Sequence, residues 1–415
     1  MNKEHSRIIQ ISDHLHAAAQ KVNVLRGIAW SNDIRQEFFK HKAQKLPVVE
    51  YPEFDPEPIL EQVYRCRKLI QKDGGIIDAW AARIADRLEL SAMLLQSRGT
   101  VDFFKYSEAL FGKPKDPLQN GMKSTLDLAI HFDEIFKSIA EFDFGAPPEA
   151  CVLATTLADQ MEKAVTEMFG ELAPEIVLDP NLASNALAGR QKISIRPTAC
   201  FTDKDIDQLI HHEAYVHVGT SLNGYLQPHI HILGDGHAGT TKTQEGLAIF
   251  AEFITGTTDL DRLRRLSDRV FAIQKAIDGA DFIDIYRFYL ERTENEEQSF
   301  QNAKRVFRGG MVTGKVPFTK DMVYLEGLIN VNNFLRIAVT KGKVHHLNLL
   351  FCGKLDLSDL PALREMEKMG LIKPPRFVPP WMQDKRFLIS HLSYSAFLNQ
   401  LDSEHSERYF ESFFL

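Results

Sequence analysis

The residues best suited to chemistry lie in one stretch, FTDKDIDQLIHHEAYVHVGTSLNG (201–224), which places His212, Glu213 and His217 in an HExxxH arrangement. Thr202 with Asp205 three residues later is the pattern of a capping box, so a helix is expected to start there. Ile206, Leu209 and Ile210 form an apolar stripe. At about 100° per residue, that stripe continues through Glu213 and His217. A carboxylate and an imidazole where a helix should bury Leu or Ile need partners, because buried charge is costly unless paired or coordinated. In the commoner HExxH pattern both imidazoles share one helix face and one zinc ion, and the Glu beside the first His reaches the attacking water. Here the second His comes five residues on, about 140° round an ideal α-helix. Two arrangements are open. A π-bulge absorbs the extra residue and brings both rings to one ion, or Glu213 and His217, four apart, form the pair that shares a face.

A second segment, TKTQEGLAIFAEF (241–253), places Glu245 at the start of an apolar helix, 28 residues beyond His217. Gluzincin-type sites take their third ligand from a Glu on a later helix and leave the fourth position to water. The plainer alternative is that Glu245 complements the positive end of its helix dipole. Glu252, further along, is assigned to support behind the ligands or to solvent.

HExxxH followed by QEGLA resembles the flavohemoglobin expression-modulating QEGLA-motif proteins, which are related to the microtubule-associated tyrosine carboxypeptidases. The likeness covers roughly residues 45 to 400 and takes in FRGG (307–310) and FTKDMVYLEGL (318–328). It implies a metallopeptidase in which His212, His217 and Glu245 hold Zn2+ and Glu213 is the acid–base. It implies a carboxypeptidase acting on a peptide or protein C-terminus, and it does not single out tubulin as substrate.

Such a reaction also needs a group to stabilise the oxyanion and a cation for the substrate's terminal carboxylate. Arg308 and Tyr324 are the candidates for substrate binding, with Arg196 a further cation; Arg308 could instead only close a helix before Gly309-Gly310. His211 is expected to point away from the ligands. His229 and His231 have strand spacing but no third partner, and His345-His346 reads as one exposed and one packed helical residue. GGMVTGK lacks the GxxxxGK[ST] spacing of a phosphate loop. The aromatic end, ERYFESFFL (407–415), reads as a helix docked on the core.

The elements that must hold these residues are mostly helical. An amphipathic stretch with Ile8, Ile9, Ile11, Leu15 and Ala18 on one face runs to KLPVVEYPEFDPEP, where four prolines break any helix. Apolar residues at three- and four-residue spacing then mark helices over 58–72, 77–97 and 123–141. FGAPPEA (144–150) is a second break, with Pro148 suited to the first turn of a helix reaching about Phe169. PEIVLD and QKISIRP read as two strands, the latter with the alternation of a half-buried or edge strand that could pair with an extended substrate. The expected architecture is α+β, mostly α: a gluzincin-like metallopeptidase with a small sheet beside the zinc-binding helix and an N-terminal helical lobe. Its expected divisions are an amphipathic segment 1–45, a helical lobe 46–145 and a zincin-like domain 146–415.

With 49 Lys and Arg against 56 Asp and Glu, the net charge of −7 gives no chain-wide basic footprint for nucleic acid. No apolar run reaches the 18 or so residues of a membrane span. The four cysteines, Cys66, Cys151, Cys200 and Cys352, form no CxxC pair, so neither a disulfide framework nor a thiolate zinc site is expected. A cytoplasmic location is the expectation; the oligomeric state is not legible. Two other functions share these residues: a zinc-binding regulatory protein acting through partner contact, and a non-peptidase hydrolase. The Glu beside the first His favours catalysis, since a structural zinc site needs no base and closes with four protein ligands.

Overall fold

The computed structural model describes residues 3–118, 121, 123–140, 142, 152–180, 182 and 184–400. The break at 144–150 and the C-terminal nonapeptide fall outside these. Helices make up most of the described chain, with two small sheets among them. No described helix is long and apolar enough to cross a membrane.

The helix Lys3–Ala19 buries Ile8, Ile11, Leu15 and Ala18, the face expected from their spacing. That face packs on the helices Glu57–Leu69 and Gly75–Gln96. Arg7 fastens the contact, donating to both oxygens of buried Asp78 at 2.6 and 2.9 Å. The proline-rich connector follows as extended chain. Its Tyr51 hydroxyl accepts the Trp30 indole N–H at 2.8 Å and the Gly309 N–H at 2.6 Å, tying the connector to the distant FRGG segment.

The described residues include five short strands: β1 (Val152–Leu153), β2 (Glu175–Leu178), β3 (Ala186–Ala188), β4 (Lys192–Ile195) and β5 (Cys200–Phe201). β1 pairs antiparallel with β5, and a second sheet has the order β2-β4-β3, with β2 parallel and β3 antiparallel to β4. QKISIRP is therefore the middle strand and not an edge. Its Ile193, Ser194 and Ile195 are all buried, the pattern of a strand enclosed on both sides. The edge nearer the site is β3, whose Ala-Leu-Ala sits among turn-type residues and carries no β-branched signal. Side chains of the helix Ala154–Phe169 (Leu157, Met161, Val165) pack with Ile193 and Ile195 and with Ala214 and Val218 of the HExxxH helix.

The helix carrying QEGLA, Thr241–Ile254, crosses the helix Val323–Thr340. The two backbones touch at Gly246 and Gly327. A Cβ on Gly246 would stand 2.3 Å from the Gly327 carbonyl, and one on Gly327 would stand 2.2 Å from the Lys242 oxygen. A glycine inside a helix costs roughly 1 kcal/mol relative to alanine; here it permits a crossing that no other residue allows. Lys242 pairs with Glu326 across the same crossing. The glycines of QEGLA and YLEGL thus set the depth at which Glu245 is held.

Candidate metal centre

The capping box at Thr202 forms as its spacing indicates: the Thr202 hydroxyl accepts the Asp205 N–H and the Asp205 carboxylate accepts the Thr202 N–H. An α-helix Asp203–Leu209 follows and passes into a π-helix over Ile210–Val218. The Gly219 N–H, at its end, donates to Ala214, five residues back. In a π-helix residues five apart are stacked as residues four apart are in an α-helix. His212 and His217 therefore share a face, with ring centroids 4.9 Å apart at 82°.

Both rings meet Glu245 from the neighbouring helix. Glu245 Oε2 lies 3.7 Å from His212 Nε2 and 3.6 Å from His217 Nε2. Two imidazole nitrogens and one carboxylate oxygen thus converge, and among the described residues no fourth His, Cys, Asp or Glu joins them. Tetrahedral zinc, with bonds of about 2.0–2.1 Å, separates its ligand atoms by roughly 3.4 Å. The two histidine–carboxylate spacings are close to that value, and all three ligand atoms lie within 4.8 Å of one another.

The supporting contacts select the atoms presented to an ion. Glu252 is wholly buried, not solvent-facing, and its Oε1 holds His212 Nδ1 at 2.7 Å, which turns Nε2 toward the site. Glu252 also accepts from Gln208 Nε2 at 2.6 Å and from Arg262 Nε and Nη2, each at 2.9 Å. Burial alone would raise the Glu252 pKa; the charges and hydrogen bonds of Arg262 and His212 together outweigh it and hold it at about 2. Burial likewise opposes charge on His212, but Glu245 and Glu252 lift its pKa to about 10. Lys320 Nζ donates to Glu245 Oε1 at 3.1 Å, leaving Oε2 for the site. Against the effect of burial, Lys320 and the two histidines hold the Glu245 carboxyl well below its ordinary range. Thr220 joins the two helices by donating to Gln244 Oε1 at 2.8 Å.

Glu213 lies on the side facing β3. Its Oε2 accepts the Ala188 N–H at 3.1 Å. Lys354 Nζ reaches the His217 carbonyl at 3.3 Å, and its pKa falls to about 8, burial outweighing the attraction of Glu245 and Glu213.

Tyr324 and Arg308 come together with each other. Lys320 Nζ stands 5.0 Å from the Tyr324 ring centroid, and Arg269 lies over the same ring at 4.7 Å. Arg308 sits in the same charged neighbourhood, where burial and the Arg305 charge depress its pKa to about 10. Arg196 is tied to Asn185 at 2.7 Å. His211 stacks edge-on against Tyr215, centroids 5.3 Å apart. His231 opens a short 3-10 turn, not a strand, and bonds Asp13 at 2.9 Å. His345 and His346 both contact Arg364. Sequence reasoning missed Gln208, Arg262, Lys320 and Lys354. Only Glu252 had a local signal, standing two turns after Glu245 on one apolar helix.

Residues 36–400 match the family model of the microtubule-associated tyrosine carboxypeptidases. The chain belongs to this family. HExxxH, QEGLA and the Lys320–Tyr324 segment all lie inside the span shared with the tyrosine carboxypeptidases. No protein of curated function matches the chain in sequence. Solved structures that match include a crystal structure from Colwellia psychrerythraea described as a lipoprotein. It is 12% identical with a TM-score of 0.40, over 82% of this chain and 66% of that one.

Proposed function

We propose that this protein is a gluzincin-like, zinc-dependent peptidase that removes C-terminal residues from peptides or proteins. The observation that carries the reading is the π-wound helix. It brings His212 and His217 to one carboxylate oxygen of Glu245 and keeps Glu213 beside them. The tyrosine carboxypeptidase family supports a peptide or protein substrate.

Zinc, when bound by His212, His217 and Glu245, supplies Lewis acidity that polarises a carbonyl and lowers the pKa of water toward neutrality. Glu213 moves the proton. Its Oε2 is fixed by the Ala188 N–H, so Oε1 is the oxygen that takes the proton from the attacking water and gives it to the leaving amine. β3 is thereby used to aim the base. Its outward groups are partly spent, with Ala188 N–H on Glu213 and the Ala186 carbonyl on the Ser184 hydroxyl at 2.7 Å. Substrate therefore relies more on side-chain contacts than on a long backbone ladder. Lys354, bonded to the His217 carbonyl, and Tyr324, whose ring lies beside Lys320, are the groups assigned to an oxyanion, one a cation and the other a hydroxyl.

The test is digestion of a peptide library with free C-termini, read by mass spectrometry. Shortening from the C-terminus that a chelator stops and zinc restores is the expected result. An intact library in the presence of zinc would remove the peptidase reading and leave a zinc-binding regulatory protein.

A further inference from the structure

The orientation of Glu213 depends on a short edge strand. β3 has three residues, and the last of them, Ala188, donates its N–H to Glu213 Oε2. In its sheet β3 pairs with β4 alone. Leu187 in its middle is exposed, and so are Gly189 and Gln191 in the turn that follows, which the Gly189 N–H closes on the Lys192 carbonyl at 2.8 Å. Short elements with few buried contacts open locally at little cost. Holding the Ala188 N–H on Glu213 therefore calls for a further contact between this hairpin and the helix that carries the base.

The turn supplies one. Arg190, between Gly189 and Gln191, lays its guanidinium over the ring of Tyr225, 3.9 Å from the centroid. Tyr225 ends the helix Gly219–Tyr225, which continues the π-helix Ile210–Val218 without a break. The end of the hairpin is thus fastened twice to one rod, by Ala188 on Glu213 and by Arg190 on Tyr225.

Tyr225 is a firm post. Every residue of its helix before it is buried. A Cβ on Gly224 would stand 1.8 Å from the Leu233 oxygen, and one on Gly234 would stand 3.1 Å from the Tyr225 nitrogen, so the two backbones touch at this point. The ring itself is 55% exposed and lies outside the three hydrophobic clusters. What it offers is its face, and a cation over an aromatic face is attracted by the ring quadrupole. An anion steadies the same guanidinium from nearby: Arg190 is among the charges acting on Asp235, which His16 Nδ1 and Gln20 Nε2 hold at 2.5 and 2.6 Å.

We propose that Arg190 and Tyr225 are positioning residues, whose contact holds the β3–β4 turn against the ligand-bearing helix and so keeps the Ala188 N–H on Glu213. The consequence for turnover rests on the peptidase reading; the consequence for Ala188 does not.

Two readouts on the zinc-loaded full chain test this: amide hydrogen exchange at Ala188, and steady-state cleavage of a free-acid peptide drawn from the library. Arg190→Gln and Tyr225→Leu should each speed Ala188 exchange about 2–10-fold, the range of a partly exposed cation–π contact. Each should lower kcat by a similar factor, with KM, zinc content and circular dichroism as in wild type. The double variant should be no worse than either single one, because both remove the same contact. Arg190→Lys and Tyr225→Phe, which keep a cation and a ring, should fall between, and they carry the comparison if a larger change disturbs folding. Ala188 exchange at the wild-type rate in the folded variants refutes the tie, whatever happens to kcat. Faster exchange with kcat unchanged refutes it too, since Glu213 then works without Ala188. If wild type cleaves no peptide, yet exchange quickens in both variants and slows again in Arg190→Lys, the peptidase fails and the tie stands.

Discussion

Replacing Glu252 with glutamine tests the support behind the ligands, because it changes one buried atom and one charge. Glu252 Oε1 faces His212 Nδ1 and Arg262 Nη2, and Oε2 faces Gln208 Nε2 and Arg262 Nε. All four neighbours are nitrogens in donor positions. Glutamine keeps one acceptor and turns the other into a donor, so either orientation sets its amide against an Arg262 nitrogen and one further donor. Arg262 also loses the only carboxylate it pairs with among the described residues. Breaking a buried ion pair from one side costs about 3–5 kcal/mol. His212 loses the bond that orients its ring, and losses of this kind lower metal affinity about 10–100-fold. Glu252→Gln should therefore lower the unfolding free energy of the metal-free protein by several kcal/mol. It should also weaken zinc in a chelator competition by one to two orders of magnitude. Stability within about 0.5 kcal/mol of wild type, the range of inert surface changes, together with unchanged zinc affinity, would refute the reasoning.

Gly327→Ala should act on the ligands from a distance. Its Cβ would lie 2.2 Å from the Lys242 oxygen, so the helices must part by roughly 1–1.5 Å to reach ordinary contact. The strain of about 1–3 kcal/mol exceeds the roughly 1 kcal/mol gained in helix propensity, and Glu245 moves with its helix. Unfolding and chelator titration should both show the loss; zinc affinity equal to wild type would mean that the crossing does not set Glu245. Arg7→Ala should cost about 3–5 kcal/mol near neutral pH by leaving buried Asp78 unpaired. Burial raises the Asp78 pKa, but the Arg7 hydrogen bond and charge, together with the Gln71 N–H, prevail and lower it. The pair therefore stabilises the fold fully above the unfolded value of about 3.9 and ceases to do so as pH falls through the lowered folded value. Urea midpoints of wild type and variant should converge in acid; a gap that persists unchanged there would point to packing, not charge.

The helical scaffold was legible because its signals are local. Ile8, Ile11, Leu15 and Ala18 announce a buried face by spacing alone, and Thr202 with Asp205 announces a helix start. The departure from α geometry was legible too. Two histidines five apart lie on different faces of an α-helix, so a shared ion calls for a wider turn, and Ile210–Val218 has one. The sheet order was not legible. Ala186–Ala188 has neither β-branched residues nor alternation, so nothing local says that β4 is covered on that side. The same holds for the partners of the ligands. Arg262 and Arg269 share the helix Leu260–Asp278, while Arg305 and Lys320 come from two other elements, and their convergence depends on the tertiary approach that Gly246 and Gly327 permit. Each glycine stands in a motif visible in the sequence, but their contact with each other does not.

The most direct test of a Glu213-driven hydrolysis at a His212–His217–Glu245 site measures zinc stoichiometry and peptide cleavage together, for wild type, Glu213→Gln and Glu245→Gln. Glutamine at 213 keeps the shape of the base but cannot accept a proton at neutral pH. That protein should hold about one equivalent of zinc, as a single three-ligand site does, and lose at least the roughly 10²–10⁴-fold that general base catalysis supplies. Glutamine at 245 replaces a charged ligand by a poor one, so zinc and cleavage should fall together. Loss of zinc from Glu213→Gln, with zinc retained by Glu245→Gln, would contradict the account and make Glu213 the ligand.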